Sequence, residues 1–215
     1  MKAFTIAAVL LASAASAAGQ TVPAPPRSDV HFVAGWQNLR EPQPQNTYNN
    51  WINDMLLGGA GAGWYWNDHL KTQVDFGTAT RGRQYRYSQT TTGTSQTLEV
   101  SRLSIDRRSL AVGQHYQFFR NQWFHPHVGA GLDFGFETRR EEYEPTVTFD
   151  TVTRVSRLIP ARSEGPEHRL VVRPFVETGF KAYMTRRAFF LSDARLTFAR
   201  EIDQAVFRFG FGVDF

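Results

Sequence analysis

No cysteine occurs in the 215 residues, so disulfides, thiol catalysis and a cysteine-linked lipid are all excluded. Long apolar runs are missing too. Beyond the first eighteen residues no stretch could cross a bilayer as a helix, and the mean hydropathy of −0.39 agrees. Charge of one sign is not in strong excess. The 24 Lys and Arg against 20 Asp and Glu leave a formal +4, too little to argue for a nucleic-acid partner. Glycine and aromatics, by contrast, are plentiful: 17 Gly and 14% aromatic residues suit tightly curved strands and a membrane interface.

The N-terminus carries Lys2, an apolar run from Ala3 to Ala12 and small residues through Ala18. That order describes a secretory signal peptide over 1–18 with cleavage near Ala17 or Ala18. A short leader over 19–28 follows, made extended by Pro23, Pro25 and Pro26. The remaining 29–215 is long enough for one domain.

The C-terminal stretch is the most informative. Phe207, Phe209, Phe211, Val213 and Phe215 fall on one face of a strand, and Arg208, Gly210, Gly212 and Asp214 on the other. An aromatic outside and a small or charged inside is what a lipid-facing wall needs. The same period of two recurs seven more times, predicting strands near 29–38, 54–66, 70–81, 110–118, 124–137, 172–183 and 190–198. Tight turns are expected at 67–69, 119–123 and 185–187. Long connections are expected at 41–46, 82–97 and 138–169, with Thr146–Thr153 able to form β-structure of its own, and a short one at 201–204. Aromatics cluster at the turn ends: Trp64, Trp66, Phe118, Phe119, Trp123, Phe124, Phe189, Phe190 and Phe215. The pattern predicts an all-β, eight-stranded, antiparallel up-and-down transmembrane β-barrel. A soluble sandwich would leave its second faces wet rather than fill them with glycine and opposed charges.

The inward faces hold Lys71, Arg173, Lys181, Arg195 and Arg208 against Asp75, Asp133, Glu137, Glu177, Asp193 and Asp214. Near balance predicts a lumen closed by mutual ion pairs, with Glu177 expected to pair with Arg173 or Lys181 on its own strand. A hairpin closing around Asn121 would set His115 opposite His127 and Gln117 opposite His125. No carboxylate joins these three imidazoles, and inward histidines in a wet mouth need no metal, so neither a metal nor any other cofactor is assigned. Ten loop arginines (Arg81, Arg83, Arg86, Arg102, Arg139, Arg140, Arg154, Arg157, Arg162 and Arg169) suit lipid phosphates, although Glu141, Glu142, Glu144 and Glu164 offset some of them.

On the signal peptide, the strand pattern and the terminal Phe-x-Phe-Gly-Val-Asp-Phe, the chain resembles the small eight-stranded outer-membrane barrels, the group of outer membrane protein A transmembrane domains and outer membrane protein W. The resemblance implies the bacterial outer membrane, its lipids as partners and insertion by the barrel-assembly machinery, while the loop arginines suggest lipopolysaccharide as a partner, with plain solvated loop charge as the alternative. The outward face of Phe207, Phe209, Phe211, Val213 and Phe215 would be the assembly signal. Some small barrels modify lipid A, but here His115 points inward, and His168 and Ser163 lack an orienting acid at fixed spacing, so no enzyme is expected. The expected role is structural or surface-interacting, and the alternative is a narrow channel for small or hydrophobic solutes.

Overall fold

The computed structural model describes residues 28–41, 50–118 and 123–215. The signal peptide, all but the last leader residue, most of the first long connection and most of the 119–123 turn lie outside the described residues. The regular elements among the described residues are ten strands. They are β1 (Ser28–Arg40), β2 (Trp51–Tyr65), β3 (Leu70–Thr92), β4 (Ser95–Gln117), β5 (Phe124–Tyr143), β6 (Thr146–Asp150), β7 (Ser156–Ile159), β8 (Arg162–Tyr183), β9 (Ala188–Phe198) and β10 (Ile202–Asp214).

Eight of them close a ring. Each strand pairs antiparallel with its neighbour in the order β3-β2-β1-β10-β9-β8-β5-β4, and the β3–β4 pairing seals it. The chain ends meet at the seam, where Asp29 faces Asp214 and Trp36 faces Phe207. The seam is tightly coiled. A Cβ on Gly35 would lie 1.9 Å from the Phe207 carbonyl oxygen, and one on Gly210 1.9 Å from that of Phe32, so both positions require glycine.

Side-chain parity follows the sequence on all eight strands. Phe32, Trp36, Leu56, Val74, Phe76, Leu110, Val112, Leu132, Val176, Phe207 and Phe211 point out and are exposed. Their neighbours one residue away point in and are buried. At the turn end, Trp123, Phe124, Phe180, Phe190 and Phe211 form an unbroken chain of ring contacts at 5.2–6.2 Å across β5, β8, β9 and β10. Phe189 departs from the expected girdle. It faces inward and is fully buried, because it lies one residue out of step with Phe190 on the same strand.

The expected long loops are mostly strand. β3, β4, β5 and β8 run for 23, 23, 20 and 22 residues, against 13, 15, 11 and 13 in β1, β2, β9 and β10. Crossing a bilayer takes only about 9–11 residues of a tilted strand. Half of the ring therefore continues as a tall sheet beyond the rim. Gly93, with φ 58°, makes the β3–β4 turn, and β6 adds to β4 with Ser95 opposite Asp150. Residues 82–92 and 95–109 have enough Thr, Tyr, Val and Ile to keep pairing once outside, which their hydrophilic composition conceals. Thr146–Asp150 forms the β-structure expected within the third connection.

Candidate functional site

The inward faces of the ring assemble four tiers of charge and one apolar collar. Nearest the turn end, Lys181 Nζ donates to Asp29 Oδ2 at 2.6 Å, Tyr65 Oη at 2.7 Å and Asp214 Oδ1 at 3.3 Å. It also sits 3.9 Å from the centre of the Phe189 ring. Lys71 Nζ donates to the same Asp29 oxygen at 3.2 Å.

The middle tier is knitted by two guanidinium groups. Arg208 donates to Asp193 Oδ1 at 2.7 Å, Asp75 Oδ2 at 2.9 Å and Glu177 Oε2 at 2.9 Å. Arg195 donates to Glu177 Oε2 at 2.6 Å and also reaches Asp75. His31 Nε2 lies 3.0 Å from Asp75 Oδ1. In the third tier Arg107 binds both Asp133 and Glu137, while Arg173 donates to Glu137 at 3.2 Å and pairs with Asp203. At the rim, Arg139 joins Glu137 to Glu41, and Arg86 also reaches Glu41. The collar of Leu39, Ile52, Met55, Leu103 and Ile105 packs at this end as a buried apolar cluster on β1, β2 and β4.

Charges this deeply buried persist only when each finds partners, because stripping an ion of water costs several kcal/mol. The planar guanidinium fork meets that need by binding two or three carboxylates at once. Glycine makes room for it. A Cβ on Gly135 would fall 2.4 Å from the Arg107 guanidinium. One cavity of about 20 Å³ lies beside Asp75, Ser109 and Arg195, room for about one water molecule.

All eleven expected lumen residues (Lys71, Asp75, Asp133, Glu137, Arg173, Glu177, Lys181, Asp193, Arg195, Arg208 and Asp214) are buried in this network. Their pairing differs from expectation. Glu177 holds Arg195 and Arg208, not Arg173 or Lys181. Residues four apart on a strand are separated by roughly 13 Å, whereas side chains from other walls of a narrow ring meet at its axis. Five participants were missed: Asp29, His31, Glu41, Arg107 and Asp203. For Asp29 and His31 the alternation of β1 already carried the signal. Arg107 was hidden because β4 begins fifteen residues earlier than expected, and Asp203 turns inward at a register shift between Ile202 and Gln204.

The histidine set is also corrected. Gln117, not His115, faces His127, and His115 faces Gly129, a register two residues away from a hairpin centred on Asn121. His125 leaves the group and lies against the Tyr183 ring at 4.8 Å. His115 and His127 remain together with ring centres 5.4 Å apart, and Glu177 joins them as the carboxylate the sequence did not reveal.

The loop arginines divide. On the outward face of the tall sheet, Arg81 pairs with Asp106 and Arg102 with Glu142, while Arg162 pairs with Glu99 on the other face. Arg86, Arg139 and Arg169 turn to acids of the lumen and rim. The guanidinium groups of Arg83, Arg140, Arg154, Arg157 and Arg108 make no ion pair with a carboxylate among the described residues, although the backbone N–H of Arg83 donates to Asp54 and Arg140 acts on Glu142 through its charge.

A closed ring of antiparallel strands, apolar outside and polar within, is the architecture of a transmembrane β-barrel. Residues 4–215 match the family model of the outer membrane protein beta-barrel domain, and the chain belongs to that family. Among solved structures it is similar to Neisserial surface protein A, at 13% identity over 87% of this chain and 97% of that one, with a TM-score of 0.52. It is also similar to the outer membrane protein OprG from Pseudomonas aeruginosa, at 10% identity over 91% of this chain and 99% of that one, with a TM-score of 0.50. These likenesses concern the fold. No curated protein matches the sequence. The protein is thus an eight-stranded barrel of the bacterial outer membrane.

Proposed function

We propose that this is a closed, non-catalytic barrel whose lumen is plugged by its own ion pairs and whose tall sheet stands outside the cell as a surface for interaction. The observation that carries the plug is the middle tier, where Arg195 and Arg208 span the lumen to Asp75, Glu177 and Asp193. A solute would have to break several buried pairs at once to pass. The same saturation argues against catalysis, since carboxylates committed to guanidinium groups are poorly suited to proton transfer. Purified barrel in a planar bilayer should give no stepwise current. A steady unitary conductance in the intact protein would overturn the plug and favour the narrow channel.

For the outer surface, Arg83, Arg108 and Arg140 support contact with lipopolysaccharide phosphates. They lie on the outward face of β3, β4 and β5 at the foot of the tall sheet, with Arg83 and Arg140 both paired to Ser104 across neighbouring strands. Guanidinium groups that make no internal ion pair are available to phosphate. Lipopolysaccharide added to detergent-solubilised protein should raise its thermal midpoint, and the Arg83→Ala/Arg140→Ala variant should lose most of that rise. An equal rise in the variant rejects this contact. The outward face of β10, with Phe207 and Phe209 packed on Trp36 and Phe215 exposed, is proposed as the strand read by the assembly machinery. Phe215→Ala should lower the outer-membrane yield in cells while leaving refolding in detergent nearly intact.

A further inference from the structure

His115 is buried with neither ring nitrogen hydrogen-bonded, and Glu177 Oε1 is likewise unpartnered although its other oxygen serves two arginines. Three unsatisfied buried atoms in one spot carry a cost that native interiors avoid unless something fills the gap. They face one another. His115 Nδ1 and His127 Nε2 each lie 3.7 Å from Glu177 Oε1, and one ligand atom from each residue falls within 4.8 Å of the other two. A Cβ on Gly129 would stand 3.1 Å from the His115 ring, so glycine there leaves the imidazole its place.

The charge count of this tier points the same way. Among permanently charged partners, Asp75, Glu177 and Asp193 meet Arg195 and Arg208, which leaves one negative charge unmatched when all three carboxyls are ionised. A proton could meet it, on His31 between Asp29 and Asp75, on Asp193 with its single arginine or on the histidine pair itself, and so could a cation held between those two histidines and Glu177.

We propose that His115, His127 and Glu177 form a binding site for a divalent transition metal of the zinc class inside the turn-end half of the lumen. Two imidazoles and a carboxylate are a common zinc set, and a fourth position is left to water. With bonds of about 2.0–2.2 Å, tetrahedral ligand atoms stand roughly 3.3–3.5 Å apart. The two contacts to Glu177 are close to that spacing already, and a small rotation of the imidazoles completes it. Arg195 and Arg208 then orient the carboxylate from behind, as an outer shell does for a metal ligand. The bound ion would tie β4, β5 and β8 together at the level where the plug is one charge short.

The test uses tag-free protein refolded in detergent with zinc chloride and separated from excess by gel filtration. Folded wild type should retain about one zinc per chain by atomic emission. His115→Leu and His127→Leu should lose it while keeping the heat-dependent gel mobility of a closed barrel, since the arginine–carboxylate pairs on Glu177 Oε2 remain in both. Cobalt(II) in place of zinc should give the intense visible bands of a tetrahedral site in wild type and not in His115→Leu. Folded wild type without stoichiometric zinc overturns the site, as does folded His115→Leu that keeps it. Should neither variant fold, the wild-type cobalt spectrum decides, and a weak octahedral spectrum rejects the assignment.

Discussion

Arg208 and Arg102 both bind carboxylates on neighbouring strands, yet they sit in opposite worlds. The Arg208 side chain is 3% exposed and reaches three acids across the lumen. That of Arg102 is 41% exposed and pairs with Glu142 alone on the outward face of the tall sheet. Water screens the second pair and would replace it at little cost, so its geometry says little about stability. The first pair has no water to fall back on. The same residue type is therefore a structural pin inside the ring and a solvated, exchangeable charge outside it.

Removing the pin is the most severe way to break this contrast. Arg208→Ala leaves Asp75, Glu177 and Asp193 with a single arginine and should lower unfolding stability by about 3–5 kcal/mol, read as a shift of the urea midpoint in detergent. A wild-type midpoint would mean that the lumen is wet and the tier ornamental. Next comes the collar that separates the two regions. Ile105→Ala opens a cavity among Leu39, Ile52, Met55 and Leu103 and should cost about 2–4 kcal/mol. Protease cleavage within residues 82–109 should accelerate while the heat-modifiable barrel persists. Equal cleavage rates would show that the tall sheet stands without the collar.

Arg102→Ala is the counterpart of Arg208→Ala and should leave the urea midpoint unchanged within error. A large loss there would erase the distinction between the two regions. The smallest effect is local and depends on pH. Asp150 accepts the backbone N–H groups of Thr153 and Val152 and the Thr94 hydroxyl, and these bonds pull its carboxyl down to about 2. A depressed carboxyl stabilises the tip above its ordinary titration range and loses that contribution as the pH falls through its folded value. Amide-exchange protection at Val152 and Thr153 should thus hold at pH 4 and fade toward pH 2, with the barrel amides unaffected. Protection lost already near pH 4 would contradict the shift.

Several of these residues were legible from the chain and others were not. The inward position of Arg208 follows from its place between Phe207 and Phe209, as that of Glu177 does from Val176 and Thr178. Arg107 and Ile105 were not legible, because the polar sequence around them resembles loop until strand pairing extends through it. His127 was read as inward, but its neighbour was misjudged by two residues, since the turn it depends on does not declare its centre. Glu177 could not be foreseen as a companion of His115 from spacing, because the two lie on β4 and β8 and meet only through the register of β5.

The chain alone specified the class of fold, the side on which most residues of the eight expected strand segments point and most of the chemical content of the lumen, with Phe189, Arg107 and Asp203 as exceptions. All of these rest on a period of two residues, which is local and survives any uncertainty in pairing. Folding alone settled which charge meets which, how tall the sheet beyond the rim stands, and that two histidines and a glutamate share one buried spot. Those depend on register and on closure of the ring, where a slip of two residues keeps every side chain on its face but changes every partner.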